Sequence, residues 1–111
     1  LEVDEMPEST ERGALTEAVY YILLALCTPM HGYGIMQYVR ELSNERVNLG
    51  PGTLYGAINT MLSKGWIKAL SEVSDNRKKE YVITETGREI VLQEIKRLEE
   101  LIYNGKMIVK E

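Results

Sequence analysis

One cysteine and one histidine stand in 111 residues, and these scarcities remove whole classes of chemistry. Cys27 has no partner for an internal disulfide. Lying in the most apolar stretch of the chain, it is expected as a small core residue of a reducing compartment. His31 has no second His or Cys at ligand spacing, so no metal site is expected and His31 is read as part of a helix start. A glycine-rich phosphate loop is missing, as is any Ser or Cys with a nearby base, so neither enzyme activity nor a cofactor is expected. Long apolar runs are missing too. The longest, Ala18 to Cys27, falls short of the roughly 18 residues that a membrane-crossing helix needs, and Thr28-Pro29 closes it. The acidic first residues lack the basic region of a signal peptide, which gives the expectation of a cytoplasmic protein with no membrane partner.

What remains is ordinary for a soluble globular chain, with 44% hydrophobic and 27% charged residues. A domain of this size buries a modest core and gains from partnering. The net charge of −4 argues against a nucleic-acid partner until its distribution is read. Six acids (Glu2, Asp4, Glu5, Glu8, Glu11, Glu17) face only Arg12 in the first 17 residues. From Pro51 to Lys79, by contrast, Lys64, Lys68, Arg77, Lys78 and Lys79 outnumber Glu72 and Asp75. Exposed charges farther apart than about 8 Å are largely screened at physiological salt, so the total does not veto a polyanion.

The stretch Pro51 to Trp66 reads as a short helix with two unlike faces. Leu54, Ile58, Met61 and Leu62 make a buried stripe. Thr53, Gly56, Ala57, Thr60 and Lys64 recur at helical spacing on the other side, small or basic where a solvated face carries Glu and Lys. Such a face lets another surface come close. Pro51 suits the first turn and Gly65 the position after the last. The hypothesis is a DNA recognition helix, in which Gly52 and Thr53 offer backbone N–H groups to phosphate and Thr53, Tyr55, Asn59, Thr60 and Lys64 offer side chains. Tyr55 has an equal competing use, packing against the hairpin that follows.

Ahead of it, residues 1–13 read as a flexible acidic arm. Thr16 is a helix N-cap with Glu17 in the first turn. Val19, Ile22, Leu23 and Leu26 face the core. Tyr20, Tyr21, Leu24 and Ala25 leave the opposite side apolar as well, and Tyr20 and Leu24 are assigned to a second protomer or the last helix. Thr28 to Gly32 is read as a turn. Ile35, Val39 and Leu42 then mark a second helix that ends near Ser43-Asn44, with Tyr33 and Tyr38 as core or edge aromatics. Val47 and Leu49 tuck a linker back onto the core. Two short helices joined this way, the second with a small-residue face, are the sequence picture of helix-turn-helix.

After Gly65 the period becomes extended. Ile67–Val73 and Lys79–Thr84 read as strands about the polar tip Ser74 to Lys78, a hairpin with a cationic end formed by Arg77, Lys78 and Lys79. From Glu85 the pattern is helical again to about Asn104-Gly105, a stop signal. Val91, Ile95, Leu98 and Ile102 make a coiled-coil-like seam, with Glu94, Lys96, Arg97 and Glu99 filling the charged remainder. This helix is expected to dimerise. The fold class is thus mainly α with a small β-hairpin, divided as an arm (1–13), a helical domain with hairpin (14–84), a dimerisation helix (85–105) and a tail (106–111).

Three blocks resemble the PadR family of bacterial and archaeal transcriptional regulators, in its short form with one C-terminal helix. His31-Gly32-Tyr33-Gly34-Ile35 is similar to the opening of that family's second helix. Gly52 to Ile58, followed by Lys64-Gly65-Trp66-Ile67, resembles its recognition helix. Lys78 to Thr84 with Gly87-Arg88 resembles its wing strand and last helix. Together they span roughly residues 14 to 103. The resemblance implies a winged helix-turn-helix homodimer, usually a repressor, that binds double-stranded DNA at a roughly palindromic operator. Two departures qualify it. The tip reads Asp75-Asn76-Arg77 instead of a Gly-Arg-Pro type, which limits the wing to phosphate contact. The last helix carries only Tyr103 as an aromatic, so a flat-effector stacking pocket is not supported and any effector is unknown. The alternative function is a winged helix that uses the same small-residue face against another protein.

Overall fold

Thr16 starts the first helix by accepting a hydrogen bond from the Val19 amide at 3.2 Å, which satisfies one of the orphan donors of the first turn. The computed structural model describes residues 13–70 and 79–109, so the acidic arm, most of the hairpin arm with its tip, and the final two residues lie outside the described residues. In order, the elements are α1 (Glu17–Ala25), β1 (Met30–His31), α2 (Gly32–Leu42), α3 (Pro51–Ser63), β2 (Ile67–Ala69), β3 (Glu80–Ile83) and α4 (Glu85–Val109). Ile22, Leu23 and Leu26 of α1 and its exit meet Ile35 and Val39 of α2 and Leu54, Ile58 and Met61 of α3. All of these are fully buried in one core. Val47 and Leu49 pack against that core, as their apolar character in a polar linker suggested, and Leu62 sits half-buried at its edge.

The sheet has three strands where a two-stranded hairpin was expected. Its order is β1-β3-β2, antiparallel throughout, with Met30 opposite Tyr81 and Ile67 opposite Ile83. Thr28 to Gly32 is therefore not wholly a turn. Two residues are too few to display the alternation that marks a strand, and their pairing exists only because β3 offers a free edge.

The exit from α3 follows the full Schellman pattern. Trp66 donates to the Met61 carbonyl at 2.9 Å and Gly65 to Leu62 at 3.1 Å, with Gly65 at φ +77°. Trp66 is thereby set as a core residue at the entrance to β2. Thr84 then ties three elements together. Its hydroxyl lies 2.6 Å from the Gly65 carbonyl and 2.9 Å from that of Trp66, and it accepts from the Gly87 amide at the start of α4.

Several expectations are corrected by the packing. Cys27 is exposed, because α1 ends at Ala25 and the chain has already turned out of the core. Tyr33 is 69% exposed and Tyr38 is also exposed, so neither is a core aromatic. Helix α4 runs through Asn104-Gly105 to Val109; Gly105 does not take the positive φ of a helix terminator, and inside a long helix it costs only about 1 kcal/mol. Val91, placed in the dimer seam, is buried in its own chain's core.

Glu94, expected on a solvated charged face, is 3% exposed. The first half of α4 packs across α1, and there Glu94 receives Arg97 through two bonds of 2.9 and 2.6 Å and the Leu15 amide at 3.4 Å. The Arg97 hydrogen bond holds the Glu94 carboxyl below its ordinary range, against burial, which pushes the other way. A carboxylate whose folded value is depressed contributes stability above its unfolded value and loses it as pH falls through the folded one. Glu94→Gln is accordingly expected to cost about 1–3 kcal/mol at neutral pH. The gap to wild type should close progressively below about pH 4.3 in urea melts run as a pH series.

Candidate nucleic-acid interface

Helix α3 begins with Gly50 at the N-cap and Pro51 at the first helical position, and no acid stands in its first turn. No carboxylate of that turn therefore occupies the positive end of the helix dipole. Along the helix, Gly52, Gly56, Asn59 and Ser63 recur at spacings of four, three and four, and all are exposed. Thr53 and Lys64 are exposed beside them. Ser63 was not picked out from the sequence. It follows from the spacing once Leu54, Ile58 and Met61 fix the opposite face as the buried one.

The glycines sort by what a side chain would meet. At Gly32 an added Cβ would run into the Tyr55 ring and hydroxyl. At Gly87 it would meet the Trp66 carbonyl and the Ile83 side chain. Packing alone accounts for both residues. At Gly52 and Gly56 a Cβ would meet nothing within 4 Å. A glycine inside a helix costs about 1 kcal/mol relative to alanine, and here the fold returns no contact for it. The open space lies on the outside of the helix.

A groove of about 370 Å³ runs between this helix and the start of α1, bordered by Thr16, Ala18, Gly52, Thr53, Gly56 and Thr60. Among the described residues no charged side chain lines it. Thr60 is half-buried and its hydroxyl donates to the Gly56 carbonyl at 3.2 Å, which takes its donor out of circulation. Lys64 sits with its ammonium 5.5 Å from the Trp66 ring centroid. That cation–π contact orients the lysine at the end of the exposed face.

Tyr55 is the clearest reassignment. Its ring lies over Gly32 at the start of α2 and packs against the core, so packing takes precedence over an outward role. Tyr81 is its neighbour in charge terms: burial first, and Tyr55 second, push the Tyr81 phenol above its ordinary value. Of the cationic hairpin residues, Lys79 is half-buried just ahead of β3, while Arg77 and Lys78 lie outside the described residues. Exposed Lys68 on β2 adds a positive charge on the same hairpin. Among the described residues no group of three or more His, Cys, Asp or Glu side chains could hold a metal ion, and no helix is long and apolar enough to cross a membrane.

The residues set aside for dimerisation divide in two. Tyr20, Leu24 and Ile95 are half-buried against their own core, and Leu98 is half-buried where α4 leaves the domain. Burial, then the Glu94 carboxylate, then Tyr21 push the Tyr20 phenol up. Beyond Leu98 the helix carries Leu101, Ile102 (57% exposed), Tyr103, Met107, Ile108 and Val109, all exposed. Gly105 lies among Leu101, Ile102 and Val109 in an open groove, and a Cβ there would again meet nothing within 4 Å.

Residues 21–94 match the model of the transcriptional regulator PadR-like family. A solved transcriptional regulator from Clostridium thermocellum is similar at 29% identity and a TM-score of 0.62, covering 89% of this chain and 93% of that one. A PadR family transcriptional regulator from Eggerthella lenta shares the fold at 20% identity and a TM-score of 0.60, over 84% of this chain and 77% of that one. An uncharacterised 37.1 kDa protein in a transposon of Streptomyces fradiae is 36% identical over 76 residues, which are 65% of this chain. The match spans about a fifth (21%) of that relative's length.

Proposed function

The chain belongs to the PadR-like family of transcriptional regulators, and from that premise we propose that it binds double-stranded operator DNA as a homodimer and represses transcription. The observation that carries this reading is the pair Gly52 and Gly56, exposed on a capped helix whose packing has no use for them. Backbone without side chains lets a helix approach base edges in a groove about 12 Å wide. Asn59 and Ser63 are the side chains to read or brace there, the α3 N-terminus accepts a phosphate, and Thr53, Lys64 and Lys79 contribute around it. Arg77 and Lys78, which lie outside the described residues, are proposed to add phosphate contacts. Thr60 is a weaker participant because its hydroxyl is already spent on Gly56.

The second copy is proposed to cover the outer half of α4. Leu101, Ile102, Ile108 and Val109 are exposed along one stretch of helix, an apolar patch of the kind that marks an interface, and Gly105 would let a partner helix come close. Two recognition helices one DNA turn apart, about 34–36 Å, call for a roughly palindromic site. Ile102→Glu is expected to leave the fold intact and to raise the dimer dissociation constant at least about a hundredfold, because the carboxylate would be buried unpaired. Sedimentation equilibrium across a concentration series reads that shift.

Titration of a labelled duplex from upstream of the chain's own coding sequence, at several salt concentrations, tests the reading as a whole. Saturable binding that resists competitor DNA and weakens with salt supports it. Its absence on every upstream duplex favours use of the same face against a protein.

A further inference from the structure

On α2, Tyr33, Gln37 and Arg40 follow one another at helical spacing along the exposed side. Asn48 of the linker closes a cleft of about 220 Å³ against them, over Met36 and Leu49. Among the described residues the lining holds a guanidinium, a phenol and two carboxamides, with no carboxylate. Tyr33 also borders a second cleft, of about 380 Å³, shared with Pro51 at the first turn of α3. The donor-rich surface is therefore continuous with the end of the helix assigned to DNA.

Arg40 is the informative member. Arg46 pairs with Glu17 and Arg97 with Glu94, yet among the described residues the Arg40 side chain has no hydrogen bond or ion pair. Glu41 and Glu45 are close in sequence and do not engage it. An exposed arginine kept out of ion pairs, in a cleft of neutral donors, presents a planar fork suited to a phosphate.

We propose that Tyr33, Gln37, Arg40 and Asn48 form a clamp for a DNA backbone phosphate beside the groove that α3 enters. The inference rests on the DNA-binding reading above and extends it: α2 supplies a second anchor that fixes the register of α3 without reading sequence. In helix-turn-helix docking the first helix crosses the backbone, which is the place this cleft would occupy. A phosphate contact of this kind weakens or strengthens binding to all sequences alike.

The test compares the full chain with Arg40→Ala and Arg40→Lys on the upstream duplex and on a scrambled duplex between 50 and 200 mM salt, roughly the range over which phosphate contacts dominate. Arg40→Ala should lower the magnitude of the log–log salt slope by about 0.9 and weaken both duplexes by a similar factor, with an unchanged melting temperature. Arg40→Lys should keep the slope, because the charge is kept. Wild-type binding with an unaltered slope in Arg40→Ala would overturn the clamp and leave the DNA reading standing. Failure of the wild type itself to bind either duplex would remove both.

Discussion

Gly56→Glu is expected to reduce operator affinity by at least about a hundredfold while leaving the protein as stable as wild type or slightly more so. The two effects have separate causes. At position 56 a Cβ meets nothing within 4 Å, so the side chain is accommodated by the fold. Replacing a helical glycine with a good helix former is also worth up to about 1 kcal/mol. On the DNA side, the same carboxylate would stand between α3 and the groove wall, close to backbone phosphates. Loss of close approach at even one or two base contacts, each worth about 1–3 kcal/mol, accounts for the factor. Gly56→Ala separates bulk from charge and should cost far less. Fluorescence anisotropy for binding and differential scanning calorimetry for stability read the two effects independently. A stable Gly56→Glu protein that binds like wild type would remove α3's open face from the interface.

Gly87→Ala is expected to do the reverse, damaging the fold with no direct reference to DNA. A methyl group there would be driven into the Trp66 carbonyl and against the Ile83 side chain. The carbonyl belongs to backbone that cannot swing away. Trp66 is pinned by its bond to Met61, and its carbonyl accepts both the Thr84 amide and the Thr84 hydroxyl. Relief would have to come from α4 lifting off the sheet, which would strain the Gly87 amide's own bond to Thr84. Overpacking of this kind costs about 1–3 kcal/mol, and the alanine's better helix propensity offsets part of it. A net loss of about 1–2 kcal/mol, or roughly 5–10 °C in melting temperature, is the expected outcome. Gly52→Ala, with open space around it, should show no such loss.

These glycines also show how much was legible in the sequence. The caps of α3 were readable because Pro51 and Gly65 act through local backbone geometry, and Leu54, Ile58 and Met61 announced their face by period. Gly56 stood out through the same period and Gly52 through its place in the first turn. Their meaning needed the structure, since Gly32 and Gly87 look no different in a sequence yet are held by contacts with distant Tyr55 and Trp66. Strand β1 was hidden for a similar reason: its pairing partner Tyr81 is far along the chain. Glu94 read as a surface charge because periodicity cannot tell that α1 lies across the first half of α4, where Arg97 and the Leu15 amide receive the carboxylate. The seam from Val91 to Ile102 was visible as a whole. Its division into an inner half packed on the core and an outer half left open depends on where the domain ends, and no local pattern records that.

In the proposed complex the exposed face of α3 contacts DNA. The most direct measurement is amide chemical-shift mapping of the full chain titrated with its upstream duplex. The expected result is that the largest changes fall on Gly52, Gly56, Asn59 and Ser63, with the neighbouring cleft at Tyr33 and Arg40 next and the core amides of Ile22 and Leu54 nearly still. Binding that moves the outer half of α4 or another surface, and leaves the α3 amides where they were, would rule out α3 as the DNA-contacting element.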